Sequence, residues 1–142
     1  MSQNQIKEIL EKYRVIAVVG LSQDPGKDSH KVSAYLKQHG YRIIPVNPYA
    51  KEVLGEKSYS SLLEIPSEVK KNIEIVDIFR PAEEVLLIVE QAIKLKALNG
   101  KPFVIWMQLG IVNEASAEKA RRAGLIVVMD KCMMVEHNLA SK

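Results

Sequence analysis

The chain has 142 residues, 47% of them apolar, enough for one domain with a buried core. Its 20 basic and 17 acidic residues leave a net charge of +3, too balanced to argue for a nucleic-acid partner but compatible with a small anion held by local positive charge. A single cysteine excludes an internal disulfide and a cysteine-rich metal site, and without a long apolar run or a signal-peptide pattern the expectation is a cytoplasmic protein with no membrane partner.

In chain order, Ile6, Ile9 and Leu10 recur on one face of a predicted helix over 3–12. A strand is predicted over 14–19, continuously apolar from Val15 on, as in a strand buried on both faces. Asp28 or Ser29 can cap a second helix reaching Gln38, with Val32, Tyr35 and Leu36 inward and Gly40 as its stop. A strand over 41–46 leads into a long connection, 47–72, with a short helix near Ser60–Leu63. A third strand spans 73–78. Pro81 suits the first turn of a helix to Leu98, where Glu83 and Glu84 complement the positive dipole end and Asn99-Gly100 ends it. A strand over 103–106, a helix capped at Asn113, with Ser116 an alternative start, and running to Arg122, and a strand over 125–129 complete the pattern. Residues 130–142 read as a polar, irregular tail.

Strands alternating with helices predict an α/β fold: a parallel sheet covered by helices on both faces. Right-handed crossovers favour the order 3-2-1-4-5 for the five predicted strands. The switch point then falls between the first and fourth, flanked by loops 20–29 and 107–111. No linker or repeat interrupts 1–142, which is expected to form one domain.

Ligands of such sheets bind outside the carboxyl ends of the strands, and every predicted strand here ends in turn-forming, polar residues. Gly20 admits close backbone approach, Ser22 offers a hydroxyl and Lys27 a charge at the start of a helix, a combination suited to phosphate; an ordinary strand-to-helix turn reads equally well. The segment matches neither the Gly-x-Gly-x-x-Gly fingerprint nor a P-loop. Asn47-Pro48 stands where dinucleotide enzymes carry an acidic residue for the ribose, and is also a common turn. Lys51 nearby can meet a phosphate or simply face solvent. Phe79 and Arg80 can flank a base or pair with a phosphate, or else pack and pair within the protein. Gln108 can bond a polar ligand and Gly110 admit one, or both can serve a turn. Cys132, with His137 near it in sequence, is either an activated nucleophile or a small buried hydrophobe.

Taken together, Val18-Val19-Gly20-Leu21-Ser22, Val46-Asn47-Pro48, Val76-Asp77-Ile78-Phe79-Arg80-Pro81, Trp106-Met107-Gln108-Leu109-Gly110 and Val128-Met129-Asp130-Lys131-Cys132 resemble the stand-alone CoA-binding domain family. That family is similar to the N-terminal CoA-binding domain of the succinyl-CoA synthetase α subunit. The resemblance covers about Ile6 to His137 and implies a Rossmann-like three-layer sandwich that binds coenzyme A or an acyl-CoA. Carried over by position, Gly20, Ser22 and Lys27 would serve the phosphates, Asn47 and Pro48 the nucleotide, and Lys51 the 3′-phosphate. Phe79 and Arg80 would contact the adenosine end or close the cleft, and Gln108 and Gly110 would flank the pantetheine arm. The synthetase's phosphohistidine domain and ATP-grasping subunit have no counterpart in these residues, so the resemblance implies a non-catalytic binding module or sensor. The alternatives are an enzyme, or a former of mixed disulfides with CoA, that uses Cys132, and an NAD-type oxidoreductase. A homo-oligomer or a partner protein is compatible with either function.

Overall fold

The computed structural model of the protein describes residues 1–142. Its elements are α1 (Gln3–Lys12), β1 (Val15–Val19), α2 (Asp28–Gln38), β2 (Arg42–Val46), β3 (Glu52–Val53), β4 (Glu56–Lys57), α3 (Ser67–Lys70), β5 (Ile75–Ile78), α4 (Val85–Asn99), β6 (Val104–Met107), α5 (Glu114–Arg122), β7 (Ile126–Val128) and α6 (Met133–Ala140). Single 3₁₀ turns at Leu62–Glu64 and Ala82–Glu84 lead into α3 and α4.

Five strands pair in parallel in the order β2-β1-β5-β6-β7. The central ones have no solvent face: Ile16, Ala17 and Val18 of β1 and all of β5 are fully buried, which is why these runs carry no polar–apolar alternation. Helices α1, α2 and α6 cover one face through Ile6, Leu10, Val32, Leu36 and Met133. Helices α4 and α5 cover the other through Val85, Val89, Leu95, Ala117 and Ala120. The Rossmann-like three-layer sandwich implied by the resemblance is therefore present, with apolar side chains buried on both faces of the sheet.

A one-residue parallel bridge joins Tyr59 to Val46 on the free edge of β2. Counted as a rudimentary third strand, it produces the expected 3-2-1-4-5 progression, with β5 in fourth place rather than third. The switch point accordingly lies between β1 and β5, one strand away from where 107–111 had been expected to flank it. A single bridged residue leaves no periodic trace in sequence, so the strand over 73–78 was counted one place early.

Two further elements escaped the sequence reading. The β3–β4 hairpin turns through Leu54 and Gly55, both at positive φ (56° and 75°), the geometry of a tight hairpin turn. The expected irregular tail is instead α6, held along its length by distant residues. Met133 is wholly buried, and its backbone N–H donates to Gln108 Oε1 at 3.2 Å. Glu136 accepts from Gln3 Nε2 of α1 at 3.3 Å. His137 Nδ1 bonds the Tyr35 hydroxyl of α2 at 2.8 Å. These partners lie about 100 residues or more away, or 25 in the case of Gln108, and a short mixed segment shows none of them locally. No helix is long and apolar enough to cross a membrane.

Candidate functional site

At the switch point the chain diverges, β1 feeding α2 on one side and β5 feeding α4 on the other, and a crevice opens between the two loops. It is a cleft of about 580 Å³, within the range of small-molecule sites. A smaller hollow of about 270 Å³, between α1 and Ile126 at the start of β7, lies away from the carboxyl ends of the strands.

Gly20 forms the floor of the cleft, and the reason it must be glycine is internal. Its φ is +91°, and a Cβ would sit 2.6 Å from the Phe79 carbonyl oxygen and 2.8 Å from Arg80 Cδ. The β1 and β5 loops thus touch through a missing side chain, which lays the stem of Arg80 across the floor. Gly20 N–H donates to the Val46 carbonyl at 2.9 Å, and Phe79 N–H to the Val19 carbonyl at 2.9 Å, so three strand ends are pinned together.

The loop after Gly20 is closed on itself. Ser22 N–H donates to Ser29 Oγ at 2.9 Å, Asp24 N–H to Ser22 Oγ at 3.0 Å, and Gly26 N–H to Asp24 Oδ1 at 2.9 Å. The Ser22 hydroxyl is an acceptor in this arrangement and keeps its own proton to donate into the cleft. Asn47 is a staple: its Nδ2 donates to the Leu21 carbonyl at 3.0 Å while Oδ1 accepts the Tyr49 N–H at 2.8 Å. That turn leaves Tyr49 90% exposed at the cleft mouth, where Leu87 of α4, 63% exposed, also lines it. Ser60, Ser61 and Gln91 add neutral polar groups.

Of the ten residues singled out for cofactor contact, the structure brings five to this cleft: Gly20, Ser22, Asn47, Pro48 and Arg80. Lys27 stands exposed just ahead of α2, and Lys51 is exposed just ahead of the hairpin, both outside the lining. Phe79 is half-buried and packs against the core on the α1–α2–α6 side of the sheet, outside the lining. Gln108 and Gly110 follow β6, one strand beyond the cleft. Gly110 donates its N–H to Asp130 Oδ1 at 2.7 Å, and a Cβ there would meet nothing within 4 Å. Cys132 is half-buried ahead of α6, packed against the core, and no hydrogen bond joins it to His137.

Gln108 is 2% exposed and committed at both ends, its Nε2 donating to Asp77 Oδ1 and its Oε1 accepting from Met133. Asp77 had no role in the sequence reading, although a carboxylate inside the run Ile75-Val76-Asp77-Ile78 was a visible anomaly. It is fully buried beside Val18 and Trp106, with Oδ2 unpartnered. Burial pushes its carboxyl up to about 7, against the opposing pull of hydrogen bonds from Gln108 and the Ile78 backbone. Tyr49, Leu87 and the acidic pair Glu83 and Glu84 were likewise missed as cleft residues; as exposed positions they carried no local signal.

The CoA binding domain family model matches residues 14–138. The chain belongs to the CoA binding domain family. Within this family-sized match, the chain is 42% identical over 136 residues to an uncharacterized protein, YneT, of Bacillus subtilis (strain 168), covering 96% of this chain and 94% of that one. It is 45% identical over 64 residues to the acetate–CoA ligase [ADP-forming] II subunit alpha of Pyrococcus furiosus, a match to 44% of this chain and only 14% of the ligase subunit. A hypothetical protein from Pyrococcus horikoshii OT3 superposes with a TM-score of 0.90 at 42% identity, over all of this chain and 94% of the other. The CoA binding domain here is thus nearly coextensive with its small relatives and corresponds to a minor part of the ligase.

Proposed function

We propose that the protein binds coenzyme A or an acyl-CoA in the β1–β5 cleft as a binding module or sensor, and that turnover is not its role. The observation that carries this reading is the composition of the cleft. The Ser22 hydroxyl and the Arg80 guanidinium suit phosphate oxygens, while Tyr49, Leu87 and Ile88 supply surface for a base or a neutral arm. Membership of the CoA binding domain family and the match to a ligase subunit support the same ligand class. Binding without turnover is favoured because no histidine or cysteine lines the cleft, and Cys132 and His137 are committed elsewhere. Lys27, on the loop after β1, and Lys51, four residues past Asn47, are exposed and free of ion pairs, and are the further cations proposed for phosphates beyond the lining.

Calorimetric titration with coenzyme A, with NAD as a control, tests the proposal. Saturable binding of coenzyme A alone, weakened in Ser22→Ala and Arg80→Ala, is expected. Saturation by NAD and not by coenzyme A would replace the ligand class. Retention of full affinity in both variants would move the site elsewhere.

A further inference from the structure

While Arg80 is paired within the protein, the charge of the cleft does not favour the anionic end of such a ligand. Arg80 is its only cationic lining residue, facing two carboxylates, Glu83 and Glu84. Moreover, the guanidinium is already engaged: Arg80 Nε donates to Glu84 Oε1 at 3.3 Å and Nη2 to Glu84 Oε2 at 2.8 Å. In this state the site presents a neutralised fork and one free carboxylate, the wrong sign for a phosphate. We propose that Glu84 is an affinity-setting residue, holding Arg80 in a latch that an anionic group must open by taking the guanidinium for itself. The inference rests on the reading of the cleft as a coenzyme A site and names the element that tunes it.

Three features make the latch exchangeable. Both side chains are about half exposed, 45% and 47%, and exposed ion pairs are weak enough for a phosphate to compete. A phosphate can receive the same two-pronged donation that the carboxylate now takes. Arg80 Cδ already lies over Gly20 at the cleft floor, so a swing of the guanidinium beyond it is enough to reach a ligand there. Glu84, once released, remains at the N-terminal end of the 15-residue helix α4, where a negative charge is favoured by the helix dipole. Opening the latch therefore strands neither partner: one charge passes to the ligand and the other keeps the helix end.

The experiment is titration of wild type, Glu84→Gln, Arg80→Ala and the double variant with coenzyme A, inorganic pyrophosphate and uncharged adenosine. Glu84→Gln is expected to tighten coenzyme A and pyrophosphate about two- to fivefold, the worth of an exposed ion pair, and to leave adenosine unchanged. In the Arg80→Ala background the same substitution is expected to bring no gain. Equal or weaker anion binding by Glu84→Gln overturns the latch. An equal gain with and without Arg80 also overturns it, because Glu84 would then act by simple repulsion. If coenzyme A binds none of the four proteins, the coenzyme reading falls, and the latch is judged on the Arg80 Nε–H magnetic resonance signal. That signal is expected to move on pyrophosphate addition to wild type and to start displaced in Glu84→Gln; its indifference to both overturns the latch.

Discussion

Two neighbouring strand ends, those of β5 and β6, begin from similar sequence material and come to opposite fates. Each follows a fully buried strand, and each carries a polar side chain within two residues of its end, Arg80 after β5 and Gln108 after β6. At β5 the chain meets Gly20 across the switch point, nothing packs over the gap, and a cleft remains. At β6 the chain runs under α6: Gln108 turns inward to Asp77 and Met133, the Trp106 indole N–H donates to the Lys131 carbonyl at 2.8 Å, and the edge is sealed. Polar residues at a strand end therefore stay free to line a cleft only where no helix claims them. In this protein the decision was made by the last eight helical residues of the chain.

The sealed edge should show the largest effect, through pH. The Asp77 carboxyl titrates at about 7 when folded and near its ordinary 3.8 when unfolded, so between these values the folded form holds a proton that the unfolded chain releases. The contribution of this one group should then be full below about pH 4, fall as pH rises from 4 to 7 and level off above 7, about 4 kcal/mol in all and about 3 kcal/mol between pH 5 and pH 8. Denaturant unfolding at pH 5 and pH 8 checks this, and Asp77→Asn should flatten the dependence. A wild-type stability that rises over this interval, with Asp77→Asn unchanged in slope, would contradict the assignment.

The two glycines separate the regions next. Gly20→Ala should cost about 3 kcal/mol, combining positive-φ strain with a collision against Phe79 and Arg80, and should abolish ligand binding. Gly110→Ala, at φ +85° with open space around it, should cost about 1 kcal/mol of strain and leave binding intact. Thermal melts of the pair give the contrast directly. Comparable losses in both would mean that the close approach at Gly20 has little energetic weight.

Gln108→Ala comes third. It leaves Asp77 Oδ1 and the Met133 N–H unsatisfied and should lower stability by about 2 kcal/mol, with hydrogen exchange accelerated selectively in α6. Coenzyme A affinity should be nearly unaffected; a large loss would return Gln108 to the ligand path. The smallest effect on stability belongs to the open edge: Arg80→Ala should change unfolding by under about 0.5 kcal/mol while weakening coenzyme A about tenfold.

Much of the fold was legible because it is written in runs of apolar residues. The strands expected over 14–19 and 73–78 and the helix ending at Asn99-Gly100 are all present, since apolar-rich runs and stop signals are local properties. The half of the candidate site that was legible, Gly20, Ser22, Asn47, Pro48 and Arg80, lies on the two strands bordering the switch point and on β2 beside them. The other half was read from strand ends without knowledge of which strands are adjacent. Gln108 and Gly110 were placed by a strand order in which β6 touched β1, whereas β5 does.

By itself, the sequence determined the alternation of strands and helices and the two-sided burial of the sheet, because each depends on short-range pattern and composition. Only the tertiary structure decided that β5 lies beside β1, that α6 closes the β6 edge, that Asn47 is a staple and that Arg80 is held by Glu84. These depend on which distant segments meet, and the energies that bring them together, a few hydrogen bonds and one apolar residue apiece, leave no periodic mark on the chain.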